Sequence, residues 1–143
     1  MFDDTAMLDS SEYHLKLPAD TKKLRNMIDF LKSDMNEHNV PEKKQFQLTM
    51  AAEEIFANIS SYAYQEDGMV EITTFVQDGT YYVRFVDSGK KYNPLQHEDP
   101  DITAELKDRP IGGLGIFLAK KLSDKISYSY ENEHNILVIG IDL

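Results

Sequence analysis

The chain contains no cysteine. It can form neither a disulfide framework nor a thiolate metal site, and a reducing, cytoplasmic compartment is the simplest expectation. No window approaches the roughly 20 apolar residues that a membrane-spanning helix needs. The first residues, Met1-Phe2-Asp3-Asp4, are acidic where a secretory signal is basic and then apolar, so export is not expected. Basic residues are scarce: 15 Lys and Arg stand against 25 Asp and Glu, a net charge of −10. Nucleic-acid binding relies on Lys and Arg displacing counterions, so most of this surface would repel DNA or RNA. A single nucleotide asks for less, a local set of backbone amides and one cation, and stays compatible with the charge. Internal repeats and low-complexity runs are also missing. The histidines, His14, His38, His97 and His134, are scattered without paired ligand spacing, which argues against a zinc site.

The 143 residues suit one domain with a core of its own, and 41% hydrophobic against 28% charged residues argues against disorder. Residues 1–10 are expected to be a flexible N-terminus. Tyr13, Leu15 and Leu17 alternate with polar neighbours and read as a strand ending at Pro18. Asp20 or Thr21 can cap a helix to about Asn39, with Leu24, Met27, Ile28 and Leu31 on one stripe. Pro41 then suits the first turn of a second helix. In that helix Leu48, Ala52, Ile55, Ile59 and Tyr62 recur at spacings of four and three, a core-facing stripe. Val70, Ile72 and Val76 alternate as a strand, Asp78-Gly79 signals a hairpin, and Tyr81, Val83 and Phe85 return to Asp87.

From Ser88 to Pro110 the periodicity is lost, with Pro94, Pro100 and Pro110 present and only a short helix near Ile102–Leu106. Such a stretch inside a compact domain reads as a lid or binding loop. Gly113-Leu114-Gly115 opens a helix to Leu122, and two strands follow, joined by a turn near Asn132–Asn135. Hairpin-linked strands with segregated helices indicate an α+β fold, a mostly antiparallel sheet covered on one face. A parallel Rossmann sheet would need helices between successive strands.

Three separated motifs carry chemistry. Glu54 and Asn58, four apart, share one helical face, from which Glu53 is turned away. An amide oxygen suits Mg²⁺ beside water and phosphates, and a carboxylate can take a proton from an attacking hydroxyl. Taken alone, the pair reads as a solvated helix face. Asp87-Ser88-Gly89 ends a strand, where a carboxylate can accept from the exocyclic amine of adenine and a glycine lets the backbone approach the ring. Alone it reads as a turn. Gly112-Gly113-Leu114-Gly115 stands where the irregular stretch meets a helix, exposing backbone N–H groups where the dipole favours phosphate. Neither GxxxxGK[ST] nor a strand-borne GxGxxG is present.

Taken in order, Glu54-x-x-x-Asn58, Asp87-x-Gly89 and Gly112-Gly113-x-Gly115 resemble the N, G1 and G2 boxes of the GHKL (histidine-kinase-like) ATPases. Asn58-Ile-Ser-Ser-Tyr-Ala-Tyr64, Tyr92-Asn93-Pro94 and Arg109-Pro110-Ile111-Gly112-Gly113-Leu114-Gly115-Ile116-Phe117 are similar to the anti-sigma-factor serine/threonine kinase branch. The resemblance runs over roughly residues 11–141. It implies a two-layer Bergerat-type sandwich that binds Mg-ATP, with residues 88–110 as the ATP lid region. It implies Glu54 as catalytic base, Asn58 as Mg²⁺ ligand and Asp87 as adenine reader. Gly89 would support the pocket floor, and Gly112, Gly113, Leu114 and Gly115 would hold phosphates. It implies phosphorylation of a STAS-domain anti-anti-sigma protein, competition from a sigma factor, and a homodimer. Departures are Lys91, where the superfamily has a second glycine, Tyr62, where related kinases often carry His, and Val138, where many members have Thr. Val138 is expected to cost one polar contact to the nucleotide, and Lys90 and Lys91 to be solvated. A non-catalytic ATP-binding regulatory module is the alternative, since binding alone needs Asn58 and Asp87 but no base.

Overall fold

The computed structural model describes residues 13–63, 68–96 and 113–143. Residues 1–12, 64–67 and 97–112, with them most of the expected lid, its short helix and Gly112, lie outside the described residues. Strand β1 (Tyr13–Pro18) is followed by a short 3₁₀ turn, Thr21–Lys23, and helix α1 (Leu24–Glu37). Asp20 starts this segment: its carboxylate accepts from the Lys22 N–H at 2.9 Å, which satisfies a donor that the first turn leaves without a partner. The helix stops at Asn39, which takes a left-handed φ of 56°. Val40 N–H then reaches back to the Met35 carbonyl at 3.0 Å, and Val40 itself is buried, the hydrophobic Schellman ending.

Helix α2 (Glu42–Asn58) runs on into a π-helical turn, Ile59–Ala63. Pro41 sits at its N-cap, one residue before the expected first-turn position. Of the predicted stripe, Leu48, Ala52, Ile55 and Ile59 are all buried. Ala51, beside Ala52, is buried as well, and these small side chains let neighbouring elements come close to the middle of the helix.

Strands β2 (Met69–Gln77) and β3 (Thr80–Asp87) form the first hairpin. Helix α3 (Gly113–Leu122) precedes the second hairpin, β4 (Lys125–Glu131) and β5 (His134–Asp142). The five strands pair antiparallel throughout in the order β1-β2-β3-β5-β4. The fold is therefore α+β, an open sheet with three α-helices among the described residues, as the element order predicts. Alternation decides the faces. Val70, Ile72, Tyr81, Val83, Phe85, Leu137, Ile139 and Ile141 point to the helices and form one core with Met27, Leu31, Met35 and Phe56. Residues of the opposite parity make the other face, where Phe75 stacks on Tyr82 at 5.0 Å and the Arg84 guanidinium lies over Phe75.

Two polar groups tie α1 to the sheet inside this core. Asp34 is buried, and its Oδ2 accepts a short hydrogen bond from the fully buried Tyr81 hydroxyl. Burial, and after it the Asp34 carboxylate, pushes the Tyr81 phenol far above its ordinary range, so it stays a donor. His38 closes the cluster, with Nδ1 3.0 Å from the Asp34 carbonyl oxygen.

Candidate functional site

The antiparallel register sets Asp87, the last residue of β3, directly opposite Asn135 of β5. Both point to the helix-covered face. Asn58 and Ile55 of α2 face them, and with Tyr92 and Tyr128 they line a cleft that opens to solvent. Ile59, Pro94 and Leu137 complete its mostly apolar wall.

Asp87 is only 4% exposed, yet it is acidic and lies in this wall. Its Oδ1 accepts from the Gly89 N–H and from Asn135 Nδ2, each at 2.9 Å. Burial raises the carboxyl above its ordinary value, while the Asn135 and Gly89 hydrogen bonds oppose the rise by favouring the anion. Gly89 is accordingly a donor in an Asx turn. Among the described glycines positive φ is confined to Gly79, so a left-handed turn is not what residue 89 supplies.

Asn135 is the residue that the sequence reading misses. It was expected in the connecting turn, but that turn is Asn132-Glu133, and Asn135 is already paired in the strand. Its Nδ2 donates to Asp87 and, at 2.9 Å, to the Lys90 carbonyl. Its Oδ1 accepts from the Tyr92 N–H at 3.1 Å and from the Tyr128 hydroxyl. The signal in the sequence is faint: a small polar residue one step before an apolar alternation. Tyr128, expected only to pack the sheet, also reaches the cleft.

The other candidates fall into two groups. Asn58 shares the cleft with Asp87. Glu54, one turn earlier, is half-buried and meets α3 instead: a Cβ placed on Gly115 would come within 2.5 Å of Glu54 Oε2. Burial, and then the neighbouring Glu53 charge, raises the Glu54 carboxyl above its ordinary value. Gly113 and Leu114 form the start of α3 next to Gly115. Lys91 is exposed, with its ammonium 5.1 Å from the centre of the Tyr130 ring. Val138 corrects an expectation. It pairs opposite Arg84 on the face away from the helices, so it has no line to the cleft, and the missing Thr hydroxyl removes no contact there.

Among the described residues no group of three or more His, Asp or Glu side chains could cage a metal by itself. No helix among them is long and apolar enough to cross a membrane. The arrangement sets a buried carboxylate, Asp87, in a mostly apolar cleft wall, with the Asn58 amide of α2 beside it and the Glu54 carboxylate one turn earlier on that helix. The fold is similar to that of the RsbU and RsbW domains of Rv1364c from Mycobacterium tuberculosis, at a TM-score of 0.66 and 15% identity. That likeness, one of fold, covers 92% of this chain and 32% of that one, so this chain spans about a third of the other's length. No curated protein matches it. Residues 17–141 match the family model of the histidine kinase-like ATPase domain, and the chain belongs to that family.

Proposed function

We propose that the chain binds Mg-ATP in this cleft and acts as a serine/threonine protein kinase and anti-sigma factor, phosphorylating a STAS-domain antagonist. The observation that carries the nucleotide reading is the buried Asp87 carboxylate at the floor of an apolar cleft that also holds Asn58. With Oδ1 taken by two donors, Oδ2 is the oxygen left to accept from the exocyclic amine of adenine. Guanine would present a carbonyl there, and two acceptors would face each other in a dry site.

The residues fit a magnesium ion that arrives with the phosphates. A cage of protein carboxylates is not needed, because Mg²⁺ keeps waters and takes substrate oxygens. The Asn58 amide oxygen would hold it, and the ion would supply positive charge to the phosphate oxygens. The kinase reading rests on Glu54, since a site that only binds nucleotide has no use for a base. The acceptor hydroxyl oxygen forms a bond to Pγ, the bond from Pγ to the bridging oxygen breaks, ADP leaves, and Glu54 takes the hydroxyl proton. A carboxyl raised by burial is a stronger base than a solvated one, which suits that step. The fold likeness to a solved RsbW domain supports the choice of this branch.

The test is incubation of the chain with labelled Mg-ATP and a panel of STAS-domain proteins from the same cell. Label on a Ser or Thr of one of these STAS proteins is the expected result. ATP binding without any transfer would replace the kinase by the non-catalytic module.

A further inference from the structure

Every hydrogen-bonding capacity of the Asn135 amide is engaged. The two Nδ2 hydrogens go to Asp87 Oδ1 and the Lys90 carbonyl, with the Gly89 carbonyl farther off at 3.4 Å. Both lone-pair directions of Oδ1 are filled by the Tyr92 N–H and the Tyr128 hydroxyl. The side chain is 4% exposed, so water cannot substitute freely for any of these partners. A flipped amide would set its oxygen against the Asp87 carboxylate and its NH₂ against the Tyr92 N–H. One orientation is therefore fixed by its surroundings.

A carboxylate alone rotates easily about its last torsion and presents either oxygen. Here two donors converge on a single oxygen, which fixes that torsion and leaves the other oxygen without either of them. We propose that Asn135 is a positioning residue for base selectivity: it locks the Asp87 carboxylate as an oriented acceptor, and this lock makes the cleft prefer adenine over guanine. The proposal rests on the reading that Asp87 meets the nucleobase. Without the Asn135 donor, Asp87 can turn, or take up a proton and donate to the guanine carbonyl. Selectivity then falls even though Asp87 is still present. Asp at position 135 would keep the shape and the acceptor oxygens for Tyr92 and Tyr128, but would remove both donors and set a second acid beside Asp87.

The experiment is calorimetric titration of the full chain with Mg-ATP and Mg-GTP, for wild type, Asn135→Ala, Asn135→Asp, Asp87→Asn and Asp87→Asn/Asn135→Ala. The expected result is a fall of about tenfold or more in the ATP to GTP affinity ratio for both Asn135 variants. The double variant should have the ratio of Asp87→Asn alone, because Asn135 acts through Asp87. Thermal melts and circular dichroism check the fold, and if Asn135→Ala fails to fold, the isosteric Asn135→Asp carries the test. A folded Asn135 variant that keeps the wild-type ratio, while Asp87→Asn loses it, overturns the proposal. A ratio unchanged in Asp87→Asn instead overturns the reading on which it rests.

Discussion

Glu54 and Gly115 stand on different helices, and the absence of a side chain on one makes room for the carboxylate of the other. Glu54→Gln keeps the length and hydrogen bonding of the side chain but cannot take a proton. It should bind ATP as wild type does and lose about 10²–10⁴ in transfer rate, measured with the proposed STAS-domain acceptor. Gly115→Ala should act through the same group. The atom in its way is the far end of a flexible side chain, so the fold should survive while the Glu54 carboxylate is displaced. Transfer should drop, and the drop should vanish when measured in the Glu54→Gln background. Additive losses would show that Gly115 acts independently of the base. A third expectation concerns pH. Burial raises both Asp87 and Glu54, and the proposed adenine contact and proton transfer each need the anion. ATP affinity and transfer should therefore fall on acidification at a pH above the ordinary carboxylate range. The effect of these groups on stability has the opposite sign. A carboxyl raised in the folded state favours folding when protonated, a contribution present below its unfolded pKa and lost as pH rises through its folded one. Denaturant titrations and nucleotide titrations over the same pH series separate the two.

At the scale of elements, the two β-hairpins solve the same problem with different residues. Asp78 and Gly79 both have positive φ, 49° and 78°, as a tight two-residue turn requires. Asn132 and Glu133 do likewise, at 52° and 64°. A glutamate in that region carries steric strain that glycine does not, so Glu133→Gly should stabilise the chain by about 1 kcal/mol, read from chemical denaturation. An unchanged or lower stability would show that the turn is not strained. The difference in chemistry also explains what was legible. Asp-Gly announces its turn, whereas Asn-Glu does not, so the turn expected over Asn132–Asn135 takes in two strand residues, His134 and Asn135. Helix α2 was readable because its apolar stripe follows the helical period closely, and Leu48, Ala52 and Ile55 are all buried as that stripe requires.

For the whole molecule, the register of the sheet decides which residues share the site. Asp87 lies opposite Asn135, and Val138 opposite Arg84, so three residues along β5 separate the cleft from the far face of the sheet. A one-residue slip would exchange the two faces. The Tyr81–Asp34 hydrogen bond joins α1 to the centre of the sheet, deep in the same core. Tyr81→Phe removes the donor and leaves a buried carboxylate oxygen without it, which should cost about 1–3 kcal/mol in unfolding free energy. Loss well below that range would place the fastening of α1 in apolar packing alone. The sequence by itself determined the α+β class, the helices, most strand positions and the ordered boxes holding Glu54, Asn58, Asp87 and Gly115, because periodicity and turn chemistry are local properties. Only the tertiary structure decided that Asn135 faces Asp87, that Glu54 turns toward Gly115 of α3, and that Val138 faces away from the cleft. Those relations join residues from 48 to 61 positions apart, and they come from strand register and helix packing, which no local pattern encodes.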